Sequence, residues 1–181
     1  MNFNKVTDRK NTGSVKWDTM EQFEKPNDVL PLWIADMDFK APAGVLKALE
    51  ERVSHGIFGY TQQMDSYYEA VVNWMDRRHD WKIKKDWIII TPGIVPAINF
   101  IIQTFAKEGE GVLIQRPVYN PFTNAIVNNG RKLVNSPLVL REGHYEIDFE
   151  DFENKIVEED VKLFILCSPH NPVGRVWTSE E

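Results

Sequence analysis

Three turns of the sequence carry residue types that could hold a small ligand. The first, TPGIVPAI at residues 91–98, places Gly93 directly before a helical pattern. A helix that opens there leaves the backbone N–H groups of Ile94 and Val95 free, and such groups bind phosphate. The alternative is a glycine that only permits a tight connection between a strand and a helix.

The second turn, RPVYNPF at residues 116–122, holds Tyr119 between two prolines. An aromatic ring fixed just after a strand can lie flat on a planar ligand, and such stacking contributes roughly 0.5–1.5 kcal/mol beyond area burial. The alternative interpretation is an ordinary core tyrosine.

The third turn, SPHNPVG at residues 168–174, places Asn171 before Pro172. An Asn–Pro bond is compatible with a cis peptide, which would direct the Asn171 amide into a crevice as a hydrogen-bond donor. The alternative is a turn that merely ends a strand. His170 and Arg175 flank the asparagine, and we expect them to support the loop.

An alternation of strand and helix patterns positions these turns. Apolar, β-branched runs predict strands, and amphipathic runs with capping residues predict helices. Ser66 with Glu69 fits a capping box, and Asp148 fits a cap. The predicted strands are 86–91, 111–117, 131–140 and 161–167, and the predicted helices are 42–56, 66–81, 92–109, 118–130 and 148–157.

This order predicts an α/β fold with three layers, α/β/α, and a mostly parallel sheet. Ligands of such sheets bind beyond the carboxyl ends of the strands, where the three turns lie. The chain is expected to comprise an N-terminal arm at 1–41 and part of a larger domain at 42–181. Thr178 and Glu181 begin a capping box with no helix after it, so we expect a cut within a longer protein.

Composition excludes several functional classes. The net charge of −6 argues against a nucleic-acid or anionic-membrane partner. The start of the chain has no secretory signal pattern and no apolar run approaches membrane-spanning length, so a cytoplasmic protein is expected. The four histidines are not spaced as zinc ligands are.

Three other reactive residues are given structural roles. Cys167 is expected to pack in the interior, and Asp36 and Asp38 are expected to be solvated or to cap backbone groups.

Taken together, the motifs resemble those of fold-type I pyridoxal-phosphate enzymes with the aspartate aminotransferase fold. Within that class, the chain resembles the MalY/PatB group of cystathionine β-lyases. The resemblance covers nearly the whole chain and rests on motifs in the same order, LPLWIADMDF, FGYT, TPGIVPAI, RPVYNPF and SPHNPVGRVW.

The resemblance implies a role for each motif. The amides of Ile94 and Val95, after Gly93, would bind the phosphate of pyridoxal 5′-phosphate, Tyr119 would stack on its pyridine ring, and Asn171 would donate to its 3′-oxygen. Tyr60 would reach the cofactor phosphate of the neighbouring subunit in a homodimer. The backbone at 35–37 would lie near the substrate carboxylate.

In that family, the lysine that binds the cofactor covalently and the carboxylate at the pyridinium nitrogen come after the NPVG motif, beyond residue 181. No catalytic residue is therefore assigned, and the chain alone is expected to be inactive. The implied activity is β-elimination from cystathionine or a cysteine S-conjugate, giving a thiol, pyruvate and ammonia. An aminotransferase on the same fold and a non-catalytic interaction module are the open alternatives.

Overall fold

The computed structural model describes residues 3–20, 22, 26 and 29–181, which form two compact units. One unit extends to Met64 and the other runs from Asp65 to Glu181. The sequence-based division at residues 41 and 42 stays a prediction. Among the helices described, none has the length and apolar character needed to cross a membrane.

The N-terminal unit contains helix α1, Val15–Asp18, and helix α2, Ala43–His55. Helix α2 confirms its prediction, and it ends at Gly56 with a φ of 73°. This left-handed conformation favours glycine, which has no Cβ. The short helix α1 was not predicted, since a single turn leaves too little periodicity to detect.

The second unit contains the remaining elements of the fold. A short 3₁₀ turn covers Lys85–Trp87. The helices are α3, Asp65–His79, α4, Ile94–Phe105, α5, Asn120–Asn128, and α6, Phe149–Glu158. The strands are β1, Gly111–Ile114, β2, Lys132–Asn135, β3, Val139–Arg141, β4, His144–Glu146, and β5, Val161–Phe164.

Strand β1 is the centre of a parallel sheet in the order β2–β1–β5. All its residues are buried, as expected of a strand covered on both faces. Its first residue, Gly111, lies so close to β5 that an added Cβ would stand 2.8 Å from the carbonyl oxygen of Glu159. The close approach explains glycine at this position.

Side chains of the sheet alternate between two helical layers. Val112 and Ile114 belong to one buried cluster together with Ile98 of α4 and Phe122 of α5. Phe164 of β5 contacts the ring of Phe152 in α6, with ring centroids 5.0 Å apart. Because Phe164 is the register partner of Leu113, α6 covers the face that α4 and α5 leave open. The predicted three-layer α/β/α fold is confirmed.

The prediction of a strand at 86–91 was wrong. Its first residues form the 3₁₀ turn, and the rest is extended but pairs with no strand in the described part of the chain. Ile89 is 85% exposed. A β-branched run favours a strand only where a neighbouring strand and a packing surface are available.

The predicted strand 131–140 is two strands. Pro137 has no N–H for a ladder, and β2 ends before it. Strand β3 instead pairs antiparallel with β4. Their connection, Glu142 and Gly143, has φ values of 49° and 84°, which is typical of a tight hairpin turn.

Helix ends differ from prediction by a few residues. Helix α3 begins at Asp65, so Ser66 lies inside the first turn instead of capping it. Helix α4 ends at Phe105, before the predicted stop at Gly109. Asp148 caps α6 as predicted, since its side chain accepts a hydrogen bond from the Asp151 N–H at 3.0 Å.

Candidate active site

The turns that contain Tyr119 and Asn171 leave neighbouring strands at the same edge of the sheet. Strands β1 and β5 are parallel, and the Ile165 N–H donates to the Leu113 carbonyl at 3.0 Å where both strands end. Further out, the Nε2 atom of His170 lies 3.0 Å from the carbonyl oxygen of Pro117. The two turns are therefore in direct contact.

Helix α4 begins at this edge as well. The connection from α4 to β1 covers only residues 106–110, so the helix runs antiparallel to the strand and its first residue lies where β1 ends. Ile98, one turn into the helix, shares the buried cluster with Val118 and Phe122 of the Tyr119 turn. The predicted convergence of the three turns on one sheet edge is thus present in the backbone.

The start of α4 offers free backbone donors. Gly93 is the residue before the helix, with φ 150° and ψ 172°, a conformation that side chains rarely adopt. No side chain caps the helix there, and the first intrahelical bond runs from the Ala97 N–H to the Gly93 carbonyl. The N–H groups of Ile94 and Val95 therefore have no partner inside the helix.

Tyr119 immediately precedes α5, and its residue surface is 41% exposed. Its ring stands perpendicular to that of Phe122, with centroids 5.8 Å apart and an angle of 89°. Phe122 is buried in the core and anchors the edge contact. Tyr119 is therefore not an ordinary core tyrosine, because much of its surface remains accessible.

Asn171 lies at the surface, in a peptide bond to Pro172 that is cis. Its backbone N–H donates to Cys167 Sγ at 3.4 Å. Its side-chain amide makes no hydrogen bond within residues 3–20, 22, 26 and 29–181, so it is available to a ligand. The bonds from Arg116 to Pro117 and from Ser168 to Pro169 are also cis.

The residues that flank Asn171 support the loop, as expected. His170 and Arg175 form an isolated antiparallel bridge, with the His170 N–H donating to the Arg175 carbonyl at 2.7 Å. The Arg175 guanidinium lies over the ring of Trp177 and donates to the Tyr145 carbonyl at 2.5 Å. Because its side chain is engaged on both sides, Arg175 braces the loop and is not free for an anionic ligand.

Sequence reasoning missed the role of Trp177. Its Nε1–H donates to the Cys167 carbonyl at 2.9 Å, which closes the loop across its base. An indole two residues after Arg175 was the available signal, since a tryptophan N–H that is partly withdrawn from water needs an acceptor. Cys167 packs against the core cluster as predicted and also accepts the Asn171 N–H.

Tyr60 belongs to the N-terminal unit and is fully exposed. A single chain cannot test a contact with a neighbouring subunit, so its role stays a prediction. The backbone at 35–37 is in the same unit, where the Asp36 N–H donates to the Ile34 carbonyl at 2.9 Å.

The expectation that Asp36 and Asp38 are solvated or cap the backbone missed their ion pairs, although their side chains keep 38% and 36% of their surface exposed. Arg9 bonds to both carboxylates, at 2.7 and 2.9 Å, and Lys16 bonds to Asp38 at 2.7 Å. Hydrogen bonds from Lys16 and from the indole of Trp17 hold the pKa of Asp38 well below its usual range. Arg9 lowers the pKa of Asp36. Both acids are therefore ionised near neutral pH, so they have no proton to donate and are weakened as proton acceptors.

Comparison with known proteins shows to which family the chain belongs. The sequence model of aminotransferase class I and II matches residues 27–181. The chain belongs to the aminotransferase class I and II family. The resemblance that the motifs indicated is thereby confirmed.

Relatives of this aminotransferase-family chain include enzymes that carry different names. It is 46% identical over 181 residues to cystathionine beta-lyase PatB of Bacillus subtilis (strain 168), covering 100% of this chain and 47% of PatB. A PLP-bound putative aminotransferase from Clostridium difficile 630 superimposes with a TM-score of 0.92 at 52% identity, over 99% of this chain and 46% of that one.

A third relative is the PLP-bound C–S lyase from Staphylococcus hominis, with a TM-score of 0.90 at 36% identity. The match covers 100% of this chain and 46% of that one. The chain thus spans about half the length of the relatives it matches. Within that half, the family fold is the one predicted.

Proposed function

We propose that this protein is a pyridoxal-5′-phosphate-dependent carbon–sulfur β-lyase. Its substrates would be cystathionine or cysteine S-conjugates, and its products a thiol, pyruvate and ammonia. The identity to the B. subtilis cystathionine beta-lyase and the fit to the S. hominis C–S lyase support this proposal.

The residues at the sheet edge fit the cofactor. Backbone N–H groups at the start of a helix suit its phosphate, and Ile94 and Val95 supply them without a competing side-chain cap. The accessible ring of Tyr119 suits the flat pyridine, and the unbonded amide of Asn171 suits its 3′-oxygen. The convergence of these three groups on one edge is the observation that carries the proposal.

When bound, pyridoxal phosphate supplies an electron sink for the carbanion that elimination requires. The described residues would bind the cofactor and orient it. The amides at 94 and 95 hold the phosphate end, Tyr119 limits the tilt of the ring, and Asn171 fixes its rotation within the plane. A donor held by a rigid loop orients a ligand better than a donor on a mobile loop. This explains why His170, Arg175 and Trp177 all make contacts that fix the loop around Asn171.

A product assay tests the lyase. The protein, expressed from its complete coding sequence and supplied with pyridoxal phosphate, is expected to form pyruvate and free thiol from L-cystathionine without an added keto acid. Amination of an added keto acid at the expense of L-cystathionine, with no release of pyruvate or thiol, would contradict the proposal.

An aminotransferase is the second candidate, because the C. difficile structure at 52% identity carries that name. Both activities begin with removal of the substrate α-proton and use the same cofactor contacts. The same assay separates them: an aminotransferase converts a keto acid to an amino acid and releases no thiol.

We also propose that the protein is a cytoplasmic homodimer in which Tyr60 reaches the cofactor phosphate of the partner subunit. The full exposure of Tyr60 in a single chain is consistent with this role. Light scattering should give twice the monomer mass, and Tyr60→Phe should weaken cofactor binding without changing that mass. A monomer with full cofactor affinity would overturn the proposal.

A further inference from the structure

A buried histidine joins two of the turns at the sheet edge. His170 is only 2% exposed, and its Nε2 atom lies 3.0 Å from the carbonyl oxygen of Pro117, a residue 53 positions away. Because a carbonyl can only accept, Nε2 must carry the hydrogen. The bond therefore runs from the residue before Asn171 to the residue two positions before Tyr119.

Packing alone does not account for a histidine at this place. The other ring nitrogen, Nδ1, is buried and has no hydrogen-bond partner in the part of the chain that the structure describes. Burial of an unpaired polar atom is unfavourable, and a phenyl ring would occupy the same space without it. What phenylalanine would lack is the Nε2–H donor.

The imidazole cannot move independently of its loop. Its ring contacts Trp177 edge to face at 5.4 Å, and that indole is bonded to the Cys167 carbonyl. The His170 carbonyl accepts from the Gly174 N–H at 2.7 Å. The position of the His170 ring is therefore coupled to the position of the backbone on both sides of Asn171.

We infer that His170 is a positioning residue that sets the Asn171 turn against the Tyr119 turn. The inference rests on the proposed cofactor site, because Asn171 and Tyr119 would contact the same ring from different turns. We call the hydrogen bond from His170 to the Pro117 carbonyl the tether. If the tether is lost, each turn still follows its own strand, but the distance between the Asn171 amide and the Tyr119 ring is no longer fixed.

Two substitutions separate the tether from the packing of the ring. His170→Phe keeps an aromatic side chain against Trp177 and removes the donor. His170→Gln is the matched control, because its amide nitrogen reaches about as far as Nε2 and can donate to the Pro117 carbonyl. Both are made in the protein expressed from its complete coding sequence.

Hydrogen exchange without cofactor is the first measurement. In His170→Phe, the amides of residues 170, 171, 173 and 174 and of residues 118–120, 122 and 123 should exchange about tenfold faster, which corresponds to the loss of one hydrogen bond of typical net strength. In His170→Gln, exchange should return to within about threefold of the parent, since the bond is restored. Amides of β1 and β2 report whether the sheet is intact.

Cofactor binding is the second measurement. The dissociation constant of pyridoxal phosphate should rise about tenfold in the Phe variant and stay near the parental value in the Gln variant. A Phe variant with parental exchange in both turns and parental affinity would overturn the inference. Equal defects in the Phe and Gln variants would also overturn it, because the donor would then not matter.

Two further outcomes are distinguishable. If the parent protein binds no pyridoxal phosphate, the proposed function fails, while the exchange comparison still tests the tether. If His170→Phe loses protection in β1 and β2, His170→Met replaces it as a donor-free variant. Loss of the sheet in both would make His170 a folding residue and overturn its positioning role.

Discussion

The ammonium of Lys16 lies 2.7 Å from the carboxylate of Asp38, and Lys16 is itself 5% exposed. A buried ammonium needs a close counter-charge, because burial without one is costly. Arg9 bonds to the other oxygen of Asp38 and also to Asp36. These four residues tie the beginning of the N-terminal unit to residues 36–38.

Asp38→Asn should lower stability in a pH-dependent way. The folded state holds the pKa of Asp38 below its usual value, so the carboxylate stabilises the fold above the unfolded pKa of about 3.9. This contribution declines as the pH falls below that value. The urea midpoint should therefore differ between parent and variant at pH 7, and less so at pH 3.

Glu50→Gln is the control for this comparison, since Glu50 is an exposed residue of α2. It should shift the urea midpoint little at either pH. A midpoint difference for Asp38→Asn that is the same at pH 7 and pH 3 would show that the ion pairs do not cause it.

Gly111→Ala should destabilise the sheet. The new methyl group would stand 2.8 Å from the Glu159 carbonyl oxygen and 3.2 Å from the Val161 Cα, and neither backbone atom can move away easily. Overpacking of this kind costs about 1–3 kcal/mol of unfolding free energy. Gly44→Ala, whose methyl group meets no atom within 4 Å, is the control for urea unfolding. Equal midpoints for both variants would contradict the close approach.

Gly93→Ala should weaken cofactor binding through the backbone. At φ 150° an alanine is strained, while the nearest atom to its Cβ would be Pro96 Cδ at an ordinary 3.8 Å. Strain of about 1–3 kcal/mol would turn the amides of Ile94 and Val95 and raise the dissociation constant of pyridoxal phosphate roughly tenfold or more. The control is Gly44→Ala, which meets no atom within 4 Å and lies outside the proposed cofactor motifs. Unchanged affinity in a titration followed by absorbance would argue against a phosphate site there.

Tyr119→Leu should lose the stacking contribution of the ring. A stacking term of roughly 0.5–1.5 kcal/mol predicts a loss of affinity for pyridoxal phosphate of about two- to tenfold. Tyr119→Phe keeps the ring, including its edge contact with Phe122, and should bind within about twofold of the parent. If Phe and Leu weaken binding equally, the hydroxyl and not the ring face makes the contact.

Much of the fold could be predicted because local signals agreed with tertiary structure. Helix α6 has an amphipathic pattern and a side-chain cap at Asp148, and both are local properties. Strand β1 is short, apolar and bounded by glycine and proline. The segment at 86–91 has the same β-branched character, but whether it pairs depends on a neighbour that no local pattern describes.

The backbone turns of the candidate site could be predicted from the sequence, but the long-range side-chain contacts could not. Gly93 and the prolines around Tyr119 and Asn171 mark special backbone geometry, so the turns could be found from residue type. The ion pairs of Asp36 and Asp38 could not, because their partners Arg9 and Lys16 lie more than twenty positions away. The contact between His170 and Pro117 is longer in range still.

That contact also constrains the order of events during synthesis. Pro117 leaves the ribosome long before His170, and the loop around Asn171 closes only when Trp177 can reach the Cys167 carbonyl. Until then the Tyr119 turn lacks its contact with the Asn171 turn. The two turns can therefore reach their final relative placement only after translation has passed Trp177.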